Sequence, residues 1–183
     1  MKTSPISLTG KRILVTGGAR GLGHTFVKNM VGAGAKVALA DILVKDGQAA
    51  ASDIGASFFE LDLGQPESIE TCMGQVIDEF GGLDGLVNNA AGNFISPTKD
   101  LSHKGFDAIA NIVFHGTFYM THSVGKRWIE KQHKGSIINI LATWIWTGSP
   151  YVVPSAMSKS GIHAMTQSLA AEWGKYQIKV NGI

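Results

Sequence analysis

Short apolar runs alternate with amphipathic segments along the whole chain of 183 residues. Runs rich in Ile, Val, Leu and Phe are typical of buried strands, and longer amphipathic stretches are typical of helices. The predicted strands cover residues 12–17, 36–41, 57–62, 83–89, 136–141 and 178–183. The predicted helices cover residues 22–34, 43–54, 66–80, 103–131 and 155–175. Because regular alternation favours right-handed crossovers, we expect a doubly wound α/β fold with a parallel sheet covered on both faces.

The composition limits the functions that a protein with this fold could have. With 44% hydrophobic and 16% charged residues, the chain is expected to be one globular domain over residues 1–183. A net charge of +2 with scattered lysines argues against a nucleic-acid partner. No apolar run reaches the roughly 18 residues of a membrane span, and the single cysteine, Cys72, is expected to be a buried apolar side chain. We therefore predict a soluble, cytoplasmic protein with no membrane partner.

A glycine-rich segment follows the first predicted strand. It reads "TGGARGLG" and spans residues 16–23. Glycine lets backbone N–H groups approach a phosphate, and the N-terminus of the next helix attracts the same anion. Since ligands of such sheets bind at the carboxyl ends of the strands, the segment predicts a dinucleotide site. The predicted contacts are Gly17, Arg20, Gly21, Leu22 and Gly23.

The end of the second predicted strand bears on which dinucleotide binds. Asp41 lies about 20 residues after the glycine-rich segment, where a carboxylate can accept hydrogen bonds from both ribose hydroxyls and would repel a 2′-phosphate. Arg20 could pair with that phosphate, or it could be a surface arginine. We give Asp41 the greater weight, so NAD(H) is favoured and NADP(H) stays open.

Two further strand ends carry small and polar residues. Asp62 and Leu63 end the third strand, where Asp62 is predicted either to meet the adenine amino group or to form a turn or helix N-cap. The fourth strand ends in "NNAAGNF", whose small residues suit a close approach to a cofactor and whose amides can fix neighbouring loops. The predicted cofactor contacts there are Asn89, Ala90, Ala91 and Gly92.

Three segments together resemble the short-chain dehydrogenase/reductase family. "TGGARGLG", "NNAAG" and "SAMSKSG" match its cofactor turn, its strand-four asparagine motif and its active-site helix, in the same order. The resemblance implies a Rossmann fold and hydride transfer with a nicotinamide cofactor; we predict no metal site. It also implies that residues 89–92 lie near the adenosine and its ribose, and that Lys159 binds the nicotinamide ribose.

The tyrosine of that family is missing. Most members carry it four residues before the lysine, whose ammonium lowers the pKa of the phenol so that it can exchange a proton with the substrate. Ser155 holds that position, and Ala142 replaces the usual preceding serine. A serine hydroxyl is a far weaker acid, and Tyr151 lies eight residues before Lys159, with Pro154 between them. Chemistry on a ketone or an alcohol is therefore not favoured.

One branch of the family carries serine at this position. "NNAAGNFI", "HGTFY", "VVPSAMSKSG" and "SLAAEWGKY" resemble the 2,4-dienoyl-CoA reductases of fatty acid breakdown, which generally use NADPH. In their reaction the thioester oxygen becomes an enolate, which needs hydrogen-bond donors more than a strong acid. The resemblance implies a reductase of an enoyl or dienoyl-CoA, although Asp41 argues for NADH.

The candidate donors to that oxygen differ from those of the branch. His115 stands where the branch has an asparagine, and Trp144 where it has a tyrosine. Both can donate a hydrogen bond, so both are candidate catalytic residues together with Ser155 and Lys159. His115 could instead be a partly buried helix residue, and Trp144 could line an apolar pocket. Asn111, one helical turn before His115, is a further candidate, with a water-bridging or helix-stabilising role left open.

The end of the chain and two helices complete the expectations. The chain stops at "IKVNGI", where family members usually continue through a substrate loop and a last strand, so we expect a C-terminally short domain that holds adenosine better than nicotinamide.

The resemblance implies a homodimer or homotetramer formed by segments 103–131 and 155–175. Two alternatives to the reductase stay open, namely a non-catalytic or truncated dinucleotide-binding protein and a dehydrogenase of alcohols, sugars or steroids.

Overall fold

The computed structural model describes residues 6–183, which form one six-stranded parallel sheet between helices. Its strands are β1 (Arg12–Thr16), β2 (Lys36–Asp41), β3 (Ser57–Glu60), β4 (Gly85–Asn88), β5 (Gly135–Asn139) and β6 (Ile178–Gly182). Their spatial order is β3-β2-β1-β4-β5-β6, so the chain builds one half of the sheet outward from β1 and the other outward from β4. The order reverses between β1 and β4, and the predicted doubly wound α/β fold is confirmed.

Helices carry the chain from each strand to the next. They are α1 (Gly21–Gly32), α2 (Val44–Ile54), α3 (Pro66–Phe80), α4 (His103–Ala110), α5 (Gly116–Glu130), α6 (Trp144–Thr147) and α7 (Val153–Trp173). Short 3-10 turns occupy Thr98–Asp100 and Gly174–Tyr176. All strand pairs are parallel, so the carboxyl ends of the strands gather at one edge of the sheet.

The core lies in two layers, one on each face of the sheet. Successive strand residues point to opposite faces, so the buried Leu14 joins one layer and its neighbour Val15 joins the other. The Leu14 layer packs against α3 and α5 through Met73 and Val124, and the Val15 layer packs against α1 through Val27. Sheet and helices together fix where each strand ends.

Two expectations about the environment of the chain can be compared with the structure. Cys72 is fully buried in α3, as predicted, and burial raises the pKa of its thiol to about 12. Within residues 6–183, no helix has both the length and the apolar character needed to cross a membrane. The cytoplasmic location and the lack of a nucleic-acid partner stay predictions.

Two local features depart from the predicted segments. The stretch predicted as one helix over residues 103–131 contains a π-helical turn at Asn111–His115, between α4 and α5. Such a turn takes in extra backbone and is often found at functional sites. The short helix α6 follows β5 and was not predicted, because four residues reading WIWT carry no helical periodicity.

A buried chain of polar side chains crosses the middle of the sheet. Asn88 Nδ2 donates to Thr121 Oγ1 and to Asn139 Oδ1, each at 2.8 Å. Asn139 Nδ2 donates in turn to Thr166 Oγ1 at 2.9 Å. Asn88 Oδ1 has no partner among the described residues. These bonds tie the ends of β4 and β5 to α5 and α7.

Candidate active site

The glycine-rich segment passes from β1 into α1 through backbone that only small residues allow. A Cβ atom added at Gly23 would lie 2.0 Å from the carbonyl oxygen of Gly17. Gly21 has a φ of 56°, a left-handed conformation that favours glycine. The Gly17 N–H donates to the Ala40 carbonyl at 2.8 Å. Gly17 and Gly23 are therefore closely packed against each other, and Gly21 supplies the left-handed turn between them.

The N-terminus of α1 is open to an anion. No side chain caps it, its first turn holds no acidic residue, and both Gly21 and Leu22 are exposed there. The first backbone N–H groups of a helix lack an acceptor within the helix, and the helix dipole adds positive potential. Residues of this loop therefore fit the pyrophosphate of a dinucleotide.

Asn89 and Thr16 bind the strand-four segment to the glycine turn. Asn89 Nδ2 donates to the carbonyl oxygens of Thr16 and Gly17, at 3.0 and 3.1 Å. The buried Thr16 hydroxyl accepts from the backbone N–H groups of Asn89 and Ala90, each at 3.1 Å. The strand-four amide therefore fixes the loop beside it. Residues 91–92 continue this segment toward the surface.

Asp41 connects the glycine turn to the start of α2. Its Oδ2 accepts from the Ala19 N–H and its Oδ1 from the Leu43 N–H, both at 3.0 Å. The side chain lies at the border of burial, since Asp41 is 9% exposed. Each carboxylate oxygen can accept a second hydrogen bond, so Asp41 can also bind ribose hydroxyls.

Asp62 and Leu63 lie beside this carboxylate. Asp62 Oδ1 accepts from the Gly64 N–H at 2.8 Å, so Asp62 forms a turn. The residue at the N-cap of α3 is Gln65, and the N-cap alternative for Asp62 is therefore wrong. One cavity at the carboxyl edge brings together the predicted cofactor residues of four strands and is lined by Gly17, Asp41, Ile42, Leu61, Asp62, Leu63, Ala90 and Ile112.

Arg20 lies at the surface and points toward α2. Its side chain is 71% exposed, and its guanidinium forms an ion pair with the carboxylate of Asp46. Asp46 stands in the first turn of α2. Arg20 is therefore a surface arginine, and one nitrogen of its guanidinium is paired with a carboxylate.

Lys159 is buried at the carboxyl end of β5. Its Nζ donates to the carbonyl oxygen of Ile140, the residue that follows β5. Burial lowers the pKa of its ammonium from the ordinary 10.5 to about 8. Ser155 is also buried, one helical turn earlier on the same face of α7.

Trp144 lies on α6, beside the start of α7. Its indole Nε1 is buried and has no hydrogen-bond partner among the described residues. A buried donor without an acceptor costs about 1 to 3 kcal/mol, so this group points to a ligand or a water as its partner. Trp146 on the same short helix is 70% exposed.

Asn111 and His115 lie on a different side of α7. Asn111 Oδ1 and His115 Nδ1 are 3.1 Å apart, and both residues are exposed, so the partly buried alternative for His115 is wrong. They line a groove with Met157 and Gly161 of α7. Met157 is about 200° around the helix axis from Lys159. Asn111 and His115 therefore share one groove, whose lining residues do not include Ser155 or Lys159.

Three participants in the site were not predicted. The Thr16 hydroxyl could have been found, because a polar residue at the end of a buried strand stands out from the apolar run before it. The Ile140 carbonyl has no sequence signature, since it acts through the backbone. Asp46 has none either, because its partner Arg20 belongs to another turn of the chain.

An α/β domain that gathers its glycine turn, its acidic strand ends and a buried lysine at one edge of a parallel sheet has the layout of a dinucleotide-binding fold. The model of the short chain dehydrogenase family matches residues 11–183. The chain belongs to this family. A short chain dehydrogenase from Bacillus anthracis, known from its crystal structure, is 39% identical with a TM-score of 0.91, covering 94% of this chain and 72% of that one.

Curated relatives include two proteins named as dienoyl-CoA reductases. The probable 2,4-dienoyl-CoA reductase 3 of Caenorhabditis elegans is 37% identical, over 97% of this chain and 60% of its own length. The probable 2,4-dienoyl-CoA reductase of Bacillus subtilis is 33% identical, over 94% of this chain and 70% of its own length. The chain thus spans between three fifths and seven tenths of the length of these two relatives.

Proposed function

We propose that this protein is an NAD(H)-dependent reductase of an enoyl or dienoyl thioester, such as an acyl-CoA, or of a similarly activated alkene. The observation that carries the proposal is the buried Lys159 with Ser155 one turn before it, at the sheet edge that also holds the glycine turn. The two relatives named as dienoyl-CoA reductases support the substrate class.

The proposed cofactor supplies the hydride when it is bound. The uncapped N-terminus of α1 would hold its pyrophosphate, and Asp41 would accept hydrogen bonds from the adenosine ribose. Lys159 would donate to the nicotinamide ribose. The ion pair of Arg20 with Asp46 supports NAD(H), because a carboxylate of the same chain then neutralises the guanidinium with which a 2′-phosphate would pair.

The substrate oxygen would be met by donors rather than by an acid. Negative charge develops on a thioester oxygen when the conjugated double bond is reduced, and a fixed hydroxyl or N–H stabilises it. Ser155 is the first donor in this proposal, and the unpartnered Trp144 Nε1 is the second. We assign Asn111 and His115 no part in this step, because they line the groove on the far side of α7.

An apolar rim would hold the rest of the substrate. Phe94, Ile95, Trp146 and Tyr151 are exposed large side chains in the segments that follow β4 and β5, with Trp146 on α6. The Ser96 N–H donates to the Tyr151 carbonyl at 3.0 Å, which joins these two loops. A surface of this kind suits an acyl chain better than a sugar.

Turnover tests the proposal directly. Nicotinamide oxidation is followed by its near-ultraviolet absorbance with a 2,4-dienoyl-CoA and with NADH and NADPH in turn. We expect turnover, and we expect Lys159→Met to lower kcat by at least about 100-fold, since both positioning and charge are lost. The exposed Lys175→Met is the matched control and should keep the wild-type rate. A folded protein that binds NADH but never turns over would indicate a non-catalytic binder instead.

We also propose that α4, α5 and α7 of two copies meet in a homodimer or homotetramer. Phe118 on α5, Met157 on α7 and Phe114 in the π-helical turn are exposed apolar side chains, and Phe114 and Met157 line the groove that holds His115. Sedimentation should show the oligomer, and Phe118→Glu should dissociate it because a buried unpaired charge is costly. Tyr176→Glu, outside these helices, should leave it intact; a monomeric wild type at high concentration would contradict the proposal.

A further inference from the structure

We infer that Asp46 is a second determinant of nucleotide preference, acting by neutralising the charge of Arg20 beside the adenosine ribose. The inference rests on the proposed function, because it concerns how this chain would choose NAD(H) over NADP(H). In this inference Asp46 does not contact the cofactor. It keeps the Arg20 guanidinium from pairing with the cofactor, and no feature of the sequence pairs Asp46 with Arg20.

The Arg20–Asp46 ion pair and the Asp41 carboxylate connect the same two segments, the glycine turn and the start of α2. The N–H of Ala19, the residue before Arg20, donates to one oxygen of Asp41. The N–H of Leu43, just before α2, donates to the other. The ion pair between Arg20 and Asp46 then joins the glycine turn to the first turn of α2 a second time. A ribose bound at Asp41 would therefore lie beside this pair.

Arg20 alone would favour a 2′-phosphate. A guanidinium is always charged and binds phosphate through two parallel hydrogen bonds, and this one is on the residue before the exposed Gly21. With Asp46 as its partner, the guanidinium is neutralised by a carboxylate of the same chain. A 2′-phosphate must then displace Asp46 and also approach two carboxylates, those of Asp41 and Asp46.

The expected effect is moderate because the pair is exposed. The two side chains are 71% and 41% exposed, and exposed ion pairs contribute little in water. Removing Asp46 should therefore shift the ratio of the two dissociation constants by about fivefold toward NADPH. The shift should shrink as salt is added, because exposed charges are screened.

The test measures dissociation constants of NADH and NADPH by fluorescence titration at low ionic strength. The variants are Asp46→Asn, Asp46→Ser, Arg20→Ala, and Arg20→Ala combined with Asp46→Asn. Asp53→Asn is the matched control, because it removes the same charge from α2 two turns further on, roughly 10 Å away. Thermal unfolding of each variant verifies that the fold is kept.

We expect both Asp46 variants to gain affinity for NADPH relative to NADH by about fivefold, and Asp53→Asn to leave the ratio unchanged. In the Arg20→Ala background, Asp46→Asn should change the ratio by less than about twofold, since there is no guanidinium left to release. An unchanged ratio in both Asp46 variants would overturn the inference. So would an equal shift with and without Arg20, because Asp46 would then act as a simple charge. A wild-type chain that binds neither nucleotide would contradict the proposed function itself, and the inference with it.

Discussion

The glycine-turn half of the candidate site, residues 16–23, 41–46 and 89–92, differs from the Lys159 half, residues 93–97 and 140–159. In the first, Thr16, Asp41 and Asn89 each join two backbone segments through hydrogen bonds of about 3 Å. In the second, the Trp144 Nε1 has no partner among the described residues, and several aromatic side chains face outward.

The difference separates a preformed binding surface from one that depends on its ligand. Groups that are already paired hold their geometry, so binding there does not cost ordering of the protein. Groups left unpaired find partners only when something enters the site. We therefore expect substitutions in the glycine-turn half to act on stability, and substitutions at the outer rim of the Lys159 half to act on substrate binding.

Within the two halves of the candidate site, the largest effect should come from Gly23→Ala. The added methyl group would lie 2.0 Å from the Gly17 carbonyl oxygen and 2.6 Å from Asn89 Nδ2, so the loop must move. We expect the free energy of unfolding to fall by about 3 kcal/mol, measured by urea denaturation. Gly21→Ala has open space and only a strained φ, and it should cost about 1 kcal/mol. Equal losses for both would break the claim of close packing.

The buried Lys159 should make stability depend on pH. Its pKa is lowered to about 8 in the folded chain, while the unfolded chain keeps 10.5, so between these values the unfolded chain binds more protons. The free energy of unfolding should therefore rise with pH from 8 to 10.5, by about 3 kcal/mol for this group. Lys159→Met should lack this rise when both proteins are unfolded by urea at several pH values. Parallel profiles would show that the amine is not desolvated.

Loss of the Thr16 hydroxyl should come next. Thr16→Val keeps the shape of the side chain but leaves the N–H groups of Asn89 and Ala90 without their acceptor. We expect a loss of about 2 kcal/mol in the free energy of unfolding. Thr71→Val removes an exposed hydroxyl that bonds only to the Glu67 carbonyl, and it should cost less than about 0.5 kcal/mol. A similar cost at both positions would contradict the claim that the Thr16 hydroxyl holds the glycine-turn half together.

The smallest effect on stability should follow Trp146→Ala, in the Lys159 half. This side chain is 70% exposed, so we expect a change of less than about 0.5 kcal/mol in the free energy of unfolding. Trp128→Ala is the contrasting control, since Trp128 is buried and should cost about 4 kcal/mol. If the rim holds an acyl chain, Trp146→Ala should raise KM for long chains more than for short ones. A large loss of stability would place Trp146 in the core instead.

The sequence predicted the glycine-turn half better than the Lys159 half, and the reason is physical. Strand β2 was predicted at both ends, residues 36–41, because a strand buried on both faces is a continuous apolar run. Its last residue, Asp41, was thereby placed at the carboxyl edge. The position of His115 relative to Lys159 depends instead on how α5 meets α7 around a π-helical turn, which no local pattern records.

The polar chain from Asn88 to Thr166 also bears on how the strands find their alignment. Asn88 lies opposite Asn139 in the sheet, and the two amides bond directly. A slip of β5 by one residue would bring an isoleucine to that place and leave buried amide groups of both asparagines unpaired, at a cost of about 1 to 3 kcal/mol for each group. An apolar pair would tolerate the slip far better. The two asparagines therefore favour the native register of β4 and β5 over a register that is shifted by one residue.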